Sequence, residues 1–308
     1  MILIQDIEKF ENSGLVLTVG FFDGVHAGHR FLIRQMEEIA KKEGLQPAIL
    51  TFWPHPRLVL DEKYKPRLLN DLPEKIELLS KLPLDFCIQI GFTLDFANYF
   101  AREFMQEILQ KKLNVKHLLI GYDHRFGKNR EAGFDDYCRY GEELGIKVTR
   151  AQPYEENGCT ISSSLIRSLL ISGDIKSANH YLCYPFNFKG TVVEGFKIGR
   201  KIGFPTANLR LSFKHKCIPD VGAYAVWVEM EKVKYGGMLY IGNRPTVANG
   251  EAPSIEVNIF DFEGDLYEKE LIITFVDKIR DQKKFQNTEL LKEQLNRDKQ
   301  VVRKILAG

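Results

Sequence analysis

A chain of 308 residues, 44% apolar and 27% charged, has ordinary globular composition, with enough length for one or two cores. Its 43 basic and 41 acidic side chains leave a net charge of +2, so neither nucleic acid nor an anionic membrane is called for as a partner, and any phosphate site must be local. The five cysteines, Cys87, Cys138, Cys159, Cys183 and Cys217, are scattered without a Cys-x-x-Cys, which argues against a disulfide framework or a zinc site. No apolar run approaches the roughly 20 residues of a membrane span, and Asp6, Glu8 and Lys9 near the start do not suit a secretory signal. The expectation is a cytoplasmic protein.

The first informative stretch is Leu15 to His29. Leu15 to Val19 is an apolar run of buried-strand character. Gly20 and Asp23-Gly24 demand a tight turn, and Ala27 to Lys42 has helical periodicity. A helix N-terminus offers free N–H groups and a partial positive charge, which suits phosphate. His26 and His29 stand at that mouth with only Ala27 and Gly28 between them, and imidazoles there can donate hydrogen bonds to phosphoryl oxygens. Without its context, the segment would rather be a glycine turn with two surface histidines; the strand before it and the helix after it favour the phosphate site.

A second strand, Ala48 to Phe52, ends in Trp53-Pro54-His55-Pro56, whose prolines make a stiff turn around His55. A helix over Leu72 to Lys81 leads to a strand at Asp85 to Ile90. Ala97 to Leu113 reads as one helix with an aromatic and aliphatic stripe, Phe100, Phe104, Ile108 and Leu109. The strand His117 to Ile120 opens into the loop Gly121 to Gly133, rich in glycine and charge, which is either a phosphate-holding loop or a solvated one. Lys147 to Thr149 is a further strand. Ile161 to Arg167 then starts a helix, where Ser162 and Ser163 can cap N–H groups and Arg167, one turn in, can clamp phosphate. Strands alternating with helices predict a parallel, doubly wound sheet.

After a short helix from Gly173-Asp174 to Leu182, Tyr184-Pro185 breaks the pattern. Strands then follow closely: Phe188 to Val193, Ala223 to Met230, Gly237 to Ile241, Ser254 to Phe260 and Leu271 to Val276. They predict a mainly antiparallel β-barrel, closed by a helix over Thr288 to Leu306. The boundary is placed at 183/184. Gly190, Gly195, Gly199, Arg200, Gly203, Pro205, Thr206 and Asn208 lie in a run able to wrap phosphates, with Thr206 and Asn208 supplying hard oxygens suited to Mg²⁺. In Ser254 to Phe260, Ile255, Val257 and Ile259 take one face, leaving Ser254, Glu256 and Asn258 on the other.

Gly20-x-Phe22-Asp23-Gly24-Val25-His26-x-Gly28-His29 resembles the signature of the HxGH adenylyl-transferring superfamily, in the form found in bacterial bifunctional riboflavin kinase/FAD synthetases. Thr51-Phe52-x-Pro54-His55-Pro56, Asp123 to Gly127 and Ile161 to Arg167 are similar to further segments of that family, with His124 standing where Phe is common and Ser164 where Thr is. In the second half, Gly199 to Asn208 resembles the riboflavin kinase ATP/Mg²⁺ signature, and Tyr240 to Thr246 and Ile279 to Phe285 resemble later motifs, with Tyr240 in place of Asn.

The resemblance implies a Rossmann-like nucleotidyltransferase domain over 1–183 and a riboflavin kinase domain over 184–308. ATP would be held in the first by Gly20, Phe22, Asp23, Gly24, His26, Gly28, His29, Ser162, Ser163 and Arg167, and FMN by His55, Asp123, Phe126 and Gly127. In the second, Gly190 to Asn208 would hold ATP and Mg²⁺, Glu256 would act as base, and Glu256, Arg280 and Phe285 would meet flavin. The small-molecule partners would be riboflavin, FMN, FAD, ATP, ADP and pyrophosphate. Another HxGH adenylyltransferase and a non-catalytic flavin sensor are the alternatives.

Overall fold

The computed structural model describes residues 1–195, 199, 203–243 and 253–308. Contacts divide the chain into two compact units, Met1–Ser163 and Ser164–Gly308. In the first, β1 (Ile2–Ile4), β2 (Leu15–Val19), β3 (Gln46–Trp53), β4 (Phe86–Gly91), β5 (Val115–Ile120) and β6 (Lys147–Arg150) form one parallel sheet in the order β1-β4-β3-β2-β5-β6. The chain winds outward from β2 to β4 and then crosses to β5 on β2's other side. In open sheets, ligands bind beyond the strand C-termini at such a reversal.

The near-continuous apolar runs of β2 and β3 follow from burial on both faces. Leu15, Leu17 and Val19 point into a core with Phe104, Met105, Ile108, Leu109 and Tyr137. Val16 and Ile49 point the other way, into a core with Ile33, Met36, Ala40 and Leu79. The second core is roofed by α1 (Ala27–Glu43), followed by left-handed Gly44, whose N–H returns to the Ala40 carbonyl. After α2 (Pro56–Leu60), α3 (Leu72–Ser80) joins the same side, started by a capping box between Asp71 and Glu74.

The single helix expected over Ala97 to Leu113 is instead three pieces. These are α4 (Leu94–Ala97), α5 (Ala101–Phe104) and a π-helical stretch, Met105–Lys112. Phe104, Ile108 and Leu109 keep their core places, but Phe100 caps α5 and lies exposed. Beyond α6 (Phe134–Leu144), a hairpin of β7 (Glu155–Glu156) and β8 (Cys159–Thr160) precedes α7 (Ser163–Ser172) and α8 (Ile175–Leu182).

The second unit is a closed antiparallel barrel of β9 (Asn187–Val193), β10 (Ala207–Leu211), β11 (Gly222–Met230), β12 (Val233–Gly242), β13 (Ser254–Ile259) and β14 (Glu270–Arg280). Five of these strands are expected from the sequence. The sixth, β10, lies at the end of the segment read as a phosphate loop, and pairing on both edges with β9 and β13 makes it a strand. Tyr224, Phe188 and Phe186 gather around Phe275, with ring centroids 5.3, 5.7 and 5.9 Å away. The C-terminal helix α9 (Thr288–Ala307) packs Val302 against Ala225, Met238 and Phe260. α7 and α8 are grouped with the barrel. The Asn179 amide donates to the Phe275 carbonyl (3.0 Å), Lys176 pairs with Asp277 (2.8 Å), and the Asp220 N–H donates to the Leu170 carbonyl (3.1 Å).

Candidate active sites

The turn leaving β2 is a strained one. Phe22 (φ 57°), Gly24 (φ 85°) and Val25 (φ 40°) all take left-handed backbone, and only Gly24 does so freely. Burial holds the other two in place, Phe22 at 2% exposure and Val25 at 0%. Asp23 pins the turn. Its buried carboxylate accepts the N–H groups of Leu69 (2.9 Å) and Asn70 (3.3 Å), and its carbonyl accepts the Ser163 hydroxyl (2.8 Å). A Cβ on Gly28 would sit 2.7 Å from the Ile161 carbonyl oxygen, so this glycine admits the Ile161–Ser163 segment. Two motifs more than a hundred residues apart thus meet at the start of α1.

His26 caps α1, its Nδ1 accepting the His29 N–H (3.4 Å), and the two rings stack with centroids 3.7 Å apart. His29 also lies against Phe22. Its Nδ1 is buried with no hydrogen-bond partner, as is Nε2 of His124 in the loop after β5. Burial, then the neighbouring His26, Lys75 and His124, holds the His29 pKa well below the usual value. Burial, then Arg130, pushes His124 down to about 4. Both imidazoles are neutral at pH 7, each with one donor and one acceptor nitrogen. Buried polar atoms of this kind are costly unless a ligand satisfies them.

His55 caps α2, its Nδ1 accepting the Arg57 N–H (3.1 Å), and its ring stands edge-on to Phe21 at 4.4 Å. Asp123 is exposed on the loop. Phe126 is buried, stacked on Tyr137 at 4.3 Å, and its N–H donates to the Tyr137 hydroxyl oxygen (2.9 Å). Gly127 has φ 88°, and a Cβ there would lie 2.7 Å from the Ala101 nitrogen. Phe126 and Gly127 therefore anchor the loop to the core. Gly20 faces the Phe22 ring. Arg167 is one turn into α7, donating to the Ser164 hydroxyl (3.3 Å).

The barrel gathers a second set. Strand register places Asn208, Glu256 and Tyr240 directly opposite one another across β10, β13 and β12, on one face. The row continues through Ala223 to Arg280. Thr206 donates to Glu256 Oε2 (3.1 Å). Gly195 leaves room for the Asn208 amide, since a Cβ there would come within 1.9 Å of Nδ2. Gly190 lies on β9 against the Arg210 carbonyl, Gly199 accepts the Phe204 N–H (2.9 Å), and Gly203 has φ 80°. A cavity of about 420 Å³ is lined by Gly195, Pro205, Thr206, Asn208 and the loop Phe262–Tyr267. Arg200, like Arg244 to Thr246, lies outside the described residues.

Arg280 Nε bonds Asp298 Oδ2 of α9 (2.8 Å), with Phe285 beside its guanidinium at 5.9 Å. Asn258, on the same strand face as Glu256, is buried, its amide donating to the Pro205 carbonyl (2.7 Å). Among the described residues no three His, Cys, Asp or Glu side chains converge on a metal site. The hydroxyl of Thr206 and the amide oxygen of Asn208 beside one carboxylate are instead hard oxygen donors of the kind that would suit Mg²⁺.

Lys75 and Asn258 carry no motif weight as single residues, and only burial and their hydrogen bonds bring them to these sites. Periodicity signals their elements but not their partners.

Comparison with known proteins finds two families along the chain. Residues 8–165 match the family model for FAD synthetase and residues 182–306 that for riboflavin kinase. The bifunctional riboflavin kinase/FMN adenylyltransferase of Listeria monocytogenes is 38% identical over 301 residues, covering 97% of this chain and 95% of that protein. Its Escherichia coli counterpart is 36% identical with the same coverage. A crystal structure from Streptococcus pneumoniae, described as a macrolide-efflux protein, superposes with a TM-score of 0.86 at 32% identity and covers 98% of both chains. Among the described residues of this chain, no helix is long and apolar enough to cross a membrane. Both halves match in order and relatives align along nearly the whole length, so the chain belongs to the bifunctional riboflavin kinase/FMN adenylyltransferase family.

Proposed function

We propose that the chain makes FMN from riboflavin in its second domain (184–308) and FAD from FMN in its first (1–183), with ATP as co-substrate in both. The two reactions ask for different groups. A riboflavin hydroxyl attacking the γ-phosphorus of ATP must lose its proton as the new P–O bond forms and ADP leaves. Glu256 takes that proton, and the Thr206 hydroxyl orients its carboxylate. Thr206 and Asn208 are the residues that would hold Mg²⁺, which when bound supplies charge neutralisation on the phosphates. Gly190, Gly195, Gly199, Gly203 and Pro205 shape the nucleotide loop, Arg200 is a further ATP contact by motif alone, and Arg280 and Phe285 serve the flavin.

An FMN phosphate oxygen, by contrast, is already anionic, with a second pKa near ~6. It attacks the α-phosphorus of ATP and pyrophosphate departs, so the site must position and stabilise charge rather than remove a proton. His26, His29 and the α1 N-terminus do this, with Ser162, Ser163 and Arg167 completing the ATP side. His55 and Asp123 serve FMN on turns that Phe126 and Gly127 anchor. We place the protein in the cytoplasm, where cysteines scattered without a Cys-x-x-Cys fit a reducing milieu.

The observation that carries this reading is the meeting of Thr206, Asn208 and Glu256 on one barrel face, because an HxGH site alone would suit other adenylyltransferases equally. Incubation with riboflavin, ATP and Mg²⁺, followed by chromatographic separation, tests it. FMN followed by FAD is expected. Flavin binding without turnover would instead identify a sensor.

A further inference from the structure

Lys75, on α3, is 1% exposed, and no motif includes it. Its Nζ donates to Thr51 Oγ1 (2.9 Å), the Phe21 carbonyl (3.0 Å) and the Phe52 carbonyl (3.4 Å). Phe21 belongs to the turn that delivers His26 and His29, and its neighbour Phe22 packs on His29. Phe52 is the residue before Trp53-Pro54-His55. The ammonium therefore joins the ends of β2 and β3, at the edge of the sheet where both histidine-bearing turns begin. It also lies 4.1 Å from the Phe21 ring centroid and 5.6 Å from that of Trp53. Those two rings run parallel at 6.2 Å, and His55 stands against Phe21. One buried ammonium thus lies against two aromatic rings and ties two turns.

We propose that Lys75 is a positioning residue for adenylyl transfer, its ammonium fixing the His26–His29 turn relative to the His55 turn. This rests on the FAD-forming activity proposed above. Burying a lysine opposes folding, and an apolar chain of the same length would fill the space at least as well. What Met cannot do is hold the Phe21 and Phe52 carbonyls at a common distance. A reacting geometry displaced by about 1 Å can lower rate by about 100-fold. Phe21 O keeps the Thr51 hydroxyl as a second donor (3.2 Å), so that carbonyl stays hydrogen-bonded without the lysine.

The test uses the full-length chain, comparing wild type, Lys75→Met and Lys75→Arg. FAD formation from FMN and ATP is measured beside riboflavin phosphorylation and thermal unfolding on the same preparations. Lys75→Met is expected to lower kcat for FAD formation about 10- to 100-fold. Its KM for ATP should change less than about threefold, with kinase activity and Tm not lowered. Lys75→Arg, which can donate to the same carbonyls, should recover part of kcat. Wild-type kcat in Lys75→Met, a loss that follows a lowered Tm, or an Arg variant no better than Met overturns the proposal. If wild type itself forms no FAD, it is the functional reading underneath that falls.

Discussion

At the residue scale, the two sites separate by what each side chain can do with a proton. On the proposed function, His29, held neutral by burial, would stabilise charge as a hydrogen-bond donor, whereas Glu256 would serve as the base for riboflavin. Replacing His29 by Ala should abolish FAD formation and leave riboflavin phosphorylation at wild-type rate. Glu256→Ala should slow phosphorylation about 10²- to 10⁴-fold while FAD is still made from supplied FMN. Assaying each variant with riboflavin and with FMN checks both. Loss of both activities from either folded variant would refute the assignment. Lys75 makes a separate prediction about stability. Burial lowers its pKa from 10.5 to about 8. Between those values the unfolded chain binds a proton that the native chain has released, so stability from this group rises with pH across that window, by on the order of 3 kcal/mol in total. The urea midpoint of Lys75→Met relative to wild type should therefore be most favourable near pH 7 and decline as pH approaches 10.

At the scale of elements, glycines mark where one segment must pass close to another. Gly195→Ala would drive its Cβ into the Asn208 amide, which is the flexible end of a side chain. The expected result is loss of riboflavin kinase activity with little change in Tm, read by assay and thermal melt. Gly28→Ala meets a backbone oxygen instead and cannot be relieved so easily. The helix α9 is fastened through Asp298, which is 4% exposed and accepts from both Arg280 Nε and Gln294 Nε2 (2.8 Å each). Asp298→Ala leaves the Arg280 charge largely buried and should cost about 3 kcal/mol in denaturant unfolding. Elements with strong periodicity and clear ends, such as α1 and α9, are legible from sequence to within a residue or two. β10 is not, because its five residues, although they alternate apolar and polar, are a short run beside a glycine- and proline-rich segment that reads as loop. The π-helical stretch is not either, because its apolar spacing is also that of an α-helix.

At the scale of the whole molecule, the two activities need share only a diffusible product. Mixing His29→Ala and Glu256→Ala chains with riboflavin and ATP should yield FAD after a lag, as FMN released by the first is adenylylated by the second. Absence of FAD from the mixture, with each chain active in its own half-reaction, would show that FMN does not pass through solution. The assignment of α7 and α8 reflects the same scale. Sequence ends the first domain at the Tyr184-Pro185 break, whereas Asn179, Lys176 and Leu170 bind residues of the second unit.

The sequence alone determined the fold classes and the chemistry on offer, because strand period, helix period and the motif residues are local properties written in consecutive positions. The meeting of Gly28 with Ile161, the row Asn208–Glu256–Tyr240, the burial of Asn258 and the place of Lys75 beneath two turns were decided only by tertiary structure. Each depends on which distant segments share a strand edge or an interior, and pairing and burial are properties of the folded chain that no local pattern encodes.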